Sequence, residues 1–342
     1  MEYHCILLLC LLLFSCGNSA SEEPVPVTPE NTQPLVITEA TPHDTDDPAI
    51  WINQQNPEES IIFGTDKATD GGVYAFDLDG NILEEKSIKG LHYPNNVDVE
   101  YKVFLNDSIS PDLIAFTERD RHQIRIFSVP DMKPLDNGGL PVFSASEGTK
   151  RQPMGIALYK SPESGKTYAI VSRKSGPAEG YLHEYELVPD QGSFQLKLVR
   201  KFGNFSGVKE IEAIAVDDQE GFIYYSDEGS CIRKYEAEPG SSQGELDCFG
   251  SEDFKQDMEG IAIVQSPGKQ GQIIISDQQR GTFNFYSRDN NHFLHSKDLG
   301  TLETDGCDAY VGYLNKKFPN GLFVAMNNER NFYFYDLGQL QK

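Results

Sequence analysis

The stretch Ile61-Ile62-Phe63-Gly64-Thr65-Asp66, followed after a short loop by Val73-Tyr74-Ala75-Phe76-Asp77-Leu78, decides the fold. An apolar strand ends in polar residues, turns, and is answered by a strand rich in Tyr and Phe. The unit recurs as Leu113 to Glu118 with Ile124 to Val129, Tyr168 to Arg173 with Tyr181 to Leu187, and Phe222 to Asp227 with Ile232 to Glu236. Ile273 to Asp277 with Phe283 to Ser287, and Leu322 to Asn327 with Phe332 to Leu337, complete six copies. Their spacing of roughly 50 residues is that of units that bury their faces only against neighbouring copies. Another alternating strand precedes each copy, beginning at Pro48, Asn96, Met154, Ile211, Met258 and Asp308. A further stretch often follows, such as Ile82 to Ile88 or Leu196 to Phe202. Gly, Asp and Asn turns join the strands, and strong helical periodicity is absent. The pattern predicts an all-β, six-bladed β-propeller with blades of about four antiparallel strands. The last blade is short of an outer strand, which Leu35-Val36-Ile37-Thr38 is placed to supply, closing the ring. Two β-sandwiches, the rival architecture, leave the sixfold repeat unexplained.

The chain has 342 residues, with 29 Lys+Arg against 53 Asp+Glu and a formal net charge of -24. That balance excludes a nucleic-acid partner, which needs a basic footprint. It leaves room for an anionic substrate if metal ions supply positive charge locally. Ile6 to Phe14 is an apolar run interrupted only by Cys10, the length of a signal-peptide core and too short to span a bilayer. Leu13-Phe14-Ser15-Cys16-Gly17 resembles a bacterial lipoprotein processing site, with Cys16 the lipidated first residue; a secretory leader cut near Ala20 is the alternative. The expected organisation is a leader and start of tether over 1–20, cleaved before Cys16, a disordered linker over 21–34, and the propeller over 35–342. The expected product is exported, as an outer-membrane or cell-surface lipoprotein and otherwise periplasmic or secreted. It acts as a monomer and touches membrane only through its lipid anchor. Beyond the leader only Cys231, Cys248 and Cys307 remain, and no Cys/His pattern has zinc spacing. Cys231 and Cys248 are placed to face each other across a hairpin, as a disulfide or as buried thiols.

His43-Asp44-Thr45-Asp46-Asp47-Pro48-Ala49-Ile50-Trp51 puts three carboxylates within four positions, directly before an apolar run. Pro48 fixes its own φ and holds Asp47 extended. Packed carboxylates repel and raise each other's pKa unless a cation joins them. A lone Asp-Asp pair would read as a solvated turn, but the repeat multiplies it. In an up-and-down blade, the start of the first strand and the loop between strands two and three lie at one end. First-strand positions supply Asp46 and Asp47, Asp98, Glu212, Asp257 and Glu259, and Asp305 and Asp308; only the third blade lacks an acid there. The loops supply Asp66-Lys67, Glu118-Arg119, Arg173-Lys174, Asp227-Glu228, Asp277-Gln278 and Asn327-Asn328-Glu329. Turns favour Asp and Asn, yet Glu212 and Glu259 read as members of apolar strands, where an unpaired Glu is costly. Hard oxygen ligands in this number suit Ca²⁺, which takes about six to eight. Lys67, Arg119 and Lys174 on one rim read as an anion clamp. His43 and His183 have no visible nucleophile partner, Gly71-Gly72 is only a turn, and the aromatic third strands read as blade packing.

Asp46-Asp47-Pro48-Ala49-Ile50-Trp51, Gly64-Thr65-Asp66-Lys67, Pro94-Asn95-Asn96-Val97-Asp98 and Asp257-Met258-Glu259-Gly260 resemble the β-propeller phytases. Gly321-Leu322-Phe323-Val324-Ala325 is similar to that family's last blade, and the resemblance covers Asp44 to Leu337. It implies a six-bladed, calcium-dependent phosphomonoesterase that takes phytate, the hexaphosphate of inositol, to lower inositol phosphates and phosphate, with several Ca²⁺ ions. By position, Asp46, Glu212, Glu228, Asp257 and Glu259 resemble the family's catalytic calcium ligands, and Lys67, Arg119 and Lys174 its phosphate contacts. Asp47, Asp305, Asn327 and Glu329 resemble a structural calcium site that ties the last blade to the first, and Asp98 joins the expected metal set. Met154 stands where the family often has an active-site Tyr, Ala213 where a Gly is usual, and Ala68 where a second Lys often follows Lys67. Two other readings carry the same fold. One is a calcium-stabilised propeller that binds without chemistry; the other is a lactonase-type metal-dependent hydrolase. The cationic rim favours a phosphorylated substrate over a neutral lactone, and a binding module has no need of Glu212 and Glu259 at the channel mouth.

Overall fold

A computed structural model describes residues 32–340, apart from 243, 267 and 269. The leader over 1–20, Cys16 included, and the linker up to residue 31 lie outside the described residues. The strand β1 (Val36–Ile37) comes first in the chain and last in the ring. Blade one is β2 (Thr45–Trp51), β3 (Ile61–Asp66), β4 (Gly71–Phe76) and β5 (Ile88–Leu91). Blade two is β6 (Pro94–Glu100), β7 (Asp112–Glu118), β8 (Gln123–Val129) and β9 (Leu140–Pro141). Blade three is β10 (Pro153–Lys160), β11 (Thr167–Arg173), β12 (Glu179–Asp190) and β13 (Ser193–Asn204). Blade four is β14 (Ile214–Asp217), β15 (Phe222–Asp227), β16 (Cys231–Glu236) and β17 (Asp247–Phe249). Blade five is β18 (Met258–Gln265), β19 (Gly271–Asp277), β20 (Thr282–Ser287) and β21 (Phe293–Asp298). Blade six is β22 (Cys307–Val311), β23 (Gly321–Asn327) and β24 (Asn331–Asp336), with β1 as its fourth strand.

All six sheets are antiparallel and four-stranded, as the repeat predicts. Closure is also as expected: Val36 pairs with Phe334 and Ile37 with Tyr333. Two expectations shift. The outer strand of blade one begins at Ile88, because Glu84–Lys86 form a helical turn and Ile82 makes only an isolated bridge to Phe76. The inner strand of blade four begins at Ile214, so Ile211 and Glu212 precede it.

The core is divided into six wedges, one between each pair of neighbouring blades. Trp51, Phe63, Phe116 and Phe127 meet between blades one and two, and Tyr159, Tyr181, Tyr225 and Tyr235 between blades three and four. Each central strand is therefore buried on both faces, which is why it reads as a continuous apolar run. Burying one such side chain stabilises the fold by about 1.5–3 kcal/mol. The aromatic third strands belong to these wedges, as blade packing.

A repeated hydroxyl stitches the blades together near the axis. It stands one residue before the end of the second strand. Thr117 Oγ1 donates to Met154 O (2.6 Å), Ser172 Oγ to Ile211 O (2.6 Å), Ser226 Oγ to Glu259 O (3.0 Å) and Ser276 Oγ to Thr304 O (2.8 Å), each on the next blade. Cys231 and Cys248 form a disulfide across β16 and β17, while Cys307 is free and buried.

Candidate active site

Two local devices aim the polar side chains. The first is an extra residue near the start of the innermost strand. Register slips between Thr45 and Pro48, Pro94 and Val97, Pro153 and Ile156, and Met258 and Ile261. A bulge of this kind re-aims successive side chains. It yields the pairs Asp46-Asp47, Asn95-Asn96, Met154-Gly155 and Glu259-Gly260. Glu212-Ala213 and Asp305-Gly306 stand at the matching places just ahead of β14 and β22. The first members gather at the channel mouth. Asn95 Nδ2 donates to Asp46 Oδ2 (3.2 Å) and to Glu212 Oε1. The second members let the next blade approach: a Cβ on Gly260 would lie 2.6 Å from Cys307 N, and one on Gly306 2.5 Å from Asp47 Cα.

The second device is alternation at the end of the second strand. The last strand residue turns outward and caps backbone. Asp66 accepts from His43 N and Asp44 N (3.0 and 2.7 Å), Glu118 from His92 N (2.9 Å), and Asp227 from Ser206 N (2.8 Å). The residue after it is anchored by its own N–H: Lys67 to Asp44 O (2.6 Å), Arg119 to Tyr93 O (2.9 Å), Lys174 to Gln152 O (2.8 Å) and Glu228 to Glu210 O (3.1 Å). So Lys67, Arg119, Lys174 and Glu228 stand on one rim.

Lys67 is the hub. Its Nζ lies 2.5 Å from Asp46 Oδ1, 3.6 Å from Asp305 Oδ2 and 4.0 Å from Glu212 Oε1. Burial alone would lower its pKa, but the three carboxylates outweigh burial and raise it. Burial pushes Asp46 up to about 7, although Lys67 pulls the other way. Ligand oxygens of Glu212, Glu228 and Glu259 lie within 4.8 Å of one another. All three carboxyls are pushed up by burial first; Lys67 opposes it at Glu212, where Asp46 adds to it, Glu212 adds to it at Glu228 against Lys209, and Glu228 and Glu212 add to it at Glu259. Asp257 is held at its carboxylate and its N–H by Gln279, and Lys209 Nζ is 2.5 Å from its Oδ2. Glu228 Oε1 and Asn95 Oδ1 are buried without a partner, and so is Arg119 Nε. Two orphan acceptors beside clustered carboxylates are the donor set a hard cation completes, so these residues fit calcium. An orphan guanidinium donor beside them fits an anion.

The structure thus brings together Asp46, Glu212, Glu228, Asp257, Glu259, Lys67, Arg119 and Asp305. Glu212 does so from the segment before β14 and not from within a strand. Asp305, expected with Asn327 and Glu329, takes part instead in the Lys67 network and accepts from Gln278 Nε2 (2.5 Å). The Asn327 carboxamide is taken up by Leu302 N and Asn331, and Glu329 is exposed on the turn after β23. Asp47 and Asp98 line the channel below. Asp47 accepts from Val97 N (3.1 Å), and Asp98, pushed up to about 8 by burial, accepts from Leu158 N (2.6 Å). Each ties its blade to the next. Lys174 is held by Glu210, at 2.5 and 2.7 Å. His43 pairs with Asp66, and His183 packs on Phe143 and Tyr185, so neither serves the mouth. Lys209, Glu210 and Gln279 carry no signal in the sequence, and Asn95 and Gln278 stand in the motif and loop stretches without a role assigned to them. A signal for Asn95 existed, since it holds the same place in its blade as Asp46 and Glu259.

Two sequence similarities bear on this arrangement. A family model described as Phytase matches residues 5–333. A 3-phytase of Bacillus subtilis (strain 168) is 30 % identical over 301 residues, covering 83 % of this chain and 74 % of the relative. A solved structure described as the Dos1 propeller is 11 % identical with a TM-score of 0.44, over 84 % of this chain and 66 % of that one, just under two thirds.

Proposed function

The chain belongs to the phytase family and is a phytase, and on that premise we propose that it hydrolyses phytate to lower inositol phosphates and phosphate in a calcium-dependent reaction at the channel mouth. The observation that carries the reading is the convergence of Glu212, Glu228 and Glu259 within 4.8 Å beside Lys67 and Arg119. Such a group is unfavourable as bare carboxylates and favourable around a cation. Calcium, when bound, supplies positive charge against the phosphate and Lewis acidity toward water.

The chain's own residues supply the rest. Lys67, Arg119 and Lys174 bind phosphate oxygens by charge-assisted hydrogen bonds and orient the phosphorus toward the carboxylates. Arg119 is stacked 4.9 Å from the Tyr93 ring centroid, which fixes the plane of its fork and leaves Nε free to donate. Asn95 holds Asp46 and Glu212 in place through its amide. The carboxylates at the mouth are taken up as counter-ions and cation ligands, and in this reading the nucleophile is water. Phosphoryl transfer of this kind is mostly positioning and charge neutralisation. The oxygen of water bonds to phosphorus, the inositol ester P–O bond breaks, and one proton given up by the water ends on the departing alkoxide, leaving the inositol hydroxyl and phosphate.

We further propose export with attachment through Cys16. The disulfide supports this reading, because such bonds persist in oxidising compartments. Among the described residues no helix is long and apolar enough to cross a membrane. The deciding experiment is phosphate release from phytate with added calcium and with a chelator. Release should vanish with the chelator and return with calcium; release that persists in the chelator would overturn the calcium assignment.

A further inference from the structure

Residues 209 and 210 have opposite charge and reach opposite parts of the site. Lys209 Nζ lies 2.5 Å from Asp257 Oδ2 and 3.5 Å from Glu228 Oε2. Glu210 grips Lys174 Nζ with both oxygens, at 2.5 and 2.7 Å. Thus one residue neutralises two carboxylates expected to hold calcium, and its neighbour neutralises a lysine expected to hold phosphate. The loop beneath them is pinned. Ser206 bonds Asp227 through its N–H and hydroxyl (2.8 and 2.7 Å), and Glu210 O accepts from Glu228 N (3.1 Å). The backbone is therefore held while the side chains are free to swing, Lys209 being 45 % exposed.

We propose, resting on the calcium-dependent reading above, that Lys209 and Glu210 are the site's own counter-ions when calcium and phosphate are not bound, and that Lys209 becomes a substrate-phosphate contact once calcium takes Asp257 and Glu228. An ammonium 2.5 Å from Asp257 Oδ2 and 3.5 Å from Glu228 Oε2 repels a divalent cation arriving at those carboxylates, so calcium and Lys209 compete for them. The released ammonium stays tethered at the mouth, where an arriving phosphate is its natural partner. Calcium binding and substrate binding are then coupled. Phosphate stabilises the displaced Lys209, and by reciprocity it tightens calcium. Glu210 acts in the opposite sense, since an arriving phosphate must compete with it for Lys174.

The test is calorimetric titration of calcium into the whole protein, alone and with myo-inositol hexakissulfate, whose sulfate esters resist hydrolysis. Wild type should bind calcium, and more tightly with the hexasulfate present. Lys209→Met should bind calcium on the order of tenfold more tightly without hexasulfate, as loss of one competing charged hydrogen bond allows. The hexasulfate should then add little. Lys209→Arg should behave as wild type. Glu210→Gln should tighten hexasulfate, and a variant that binds hexasulfate no more tightly than wild type overturns the role of Glu210. Lys255→Met is the control for general charge: Lys255 is exposed on the same groove that Lys209 and Asp257 line, and its Nζ bonds Gln279 O. Lys209→Met that binds calcium no more tightly than wild type, or no more tightly than Lys255→Met, overturns the counter-ion role. An undiminished hexasulfate effect in Lys209→Met overturns the phosphate contact. If wild type takes up no calcium, this inference and the calcium reading fall together; if wild type binds calcium and hydrolyses phytate while Lys209→Met is unaltered, only this inference falls.

Discussion

Glu228→Gln should change stability in opposite directions with and without calcium. Three carboxylates lie within 4.8 Å of one another, and Glu228 belongs to two of the three pairs. One pair of unit charges at 4.8 Å repels by about 3.5 kcal/mol at an effective dielectric of about 20. Two such pairs give a gross repulsion of about 7 kcal/mol. Proton uptake relieves much of this, because burial and the neighbouring carboxyls hold Glu228 above its ordinary value of 4.5. The lost contact with Lys209 removes a little more. A net gain of about 1–3 kcal/mol remains for the metal-free variant, or about 1.5–4.5 °C in melting temperature for a protein of this size. With calcium the sign reverses. Wild type gains about 2.7 kcal/mol at a hundredfold excess over Kd, and the variant loses most of that gain. The pH dependence follows from the raised pKa. Protonation stabilises the metal-free wild type fully below about 4.5, and that contribution is lost as pH rises through the folded-state value, so the variant's advantage grows toward pH 8. Calorimetric melts of both proteins at pH 8, in chelator and in calcium, measure the crossing. A variant that melts lower than wild type in chelator, or that keeps the full calcium shift, refutes the reasoning.

Four other outcomes are expected. Lys67→Ala and Arg119→Ala should each lower kcat/KM for phytate roughly 10- to 150-fold by loss of a charged hydrogen bond, with the fold retained by circular dichroism. Gly260→Ala should cost about 1–3 kcal/mol in urea denaturation, because its Cβ meets rigid backbone at Cys307; Ala213→Gly, at the matching place in blade four, should cost less. Reducing the Cys231–Cys248 bond, which closes a 17-residue separation, should lower stability by about 3 kcal/mol, read from urea midpoints with and without reductant. Cys16→Ala should release the protein from membranes on cell fractionation, and a variant that still sediments with membrane would count against lipidation.

The blades were legible because two-sided burial leaves continuous apolar runs, and turns punctuate them at a regular spacing. The rim was legible for the same reason: Lys67, Arg119, Lys174 and Glu228 follow strand ends that the repeat locates. The bulge was not. Asp46 and Asp47 look equivalent in the sequence, yet one extra residue in β2 sends the first to the mouth and the second to Val97 N. The same ambiguity placed Asp98 with the upper acids and Glu212 inside a strand, since pairing register cannot be read from one strand alone. The grouping of Asp305 with Asp47, Asn327 and Glu329 rests on the family resemblance alone. In the structure Asp305 Oδ2 lies 3.6 Å from Lys67 Nζ, a residue from the opposite end of the chain that no reading of the last blade could supply. Lys209 and Glu210 carried no motif; only the direction of a loop brings them to the site.

The seal between β1 and β24 governs how the molecule is made. Val36 and Phe334 come from opposite ends of the chain, so the ring shuts only after the last blade has formed. Until then, the earlier blades stand as an open arc with one outer edge of blade six unpaired. An unpaired strand edge is a template for the strand of another copy, and intermediates of long-range topology expose it for longest. A chain crossing a membrane amino end first would deliver β1 before anything it can bind. Aggregation during production should therefore respond to substitutions at Val36 and Ile37, which are remote from the carboxylates at the mouth.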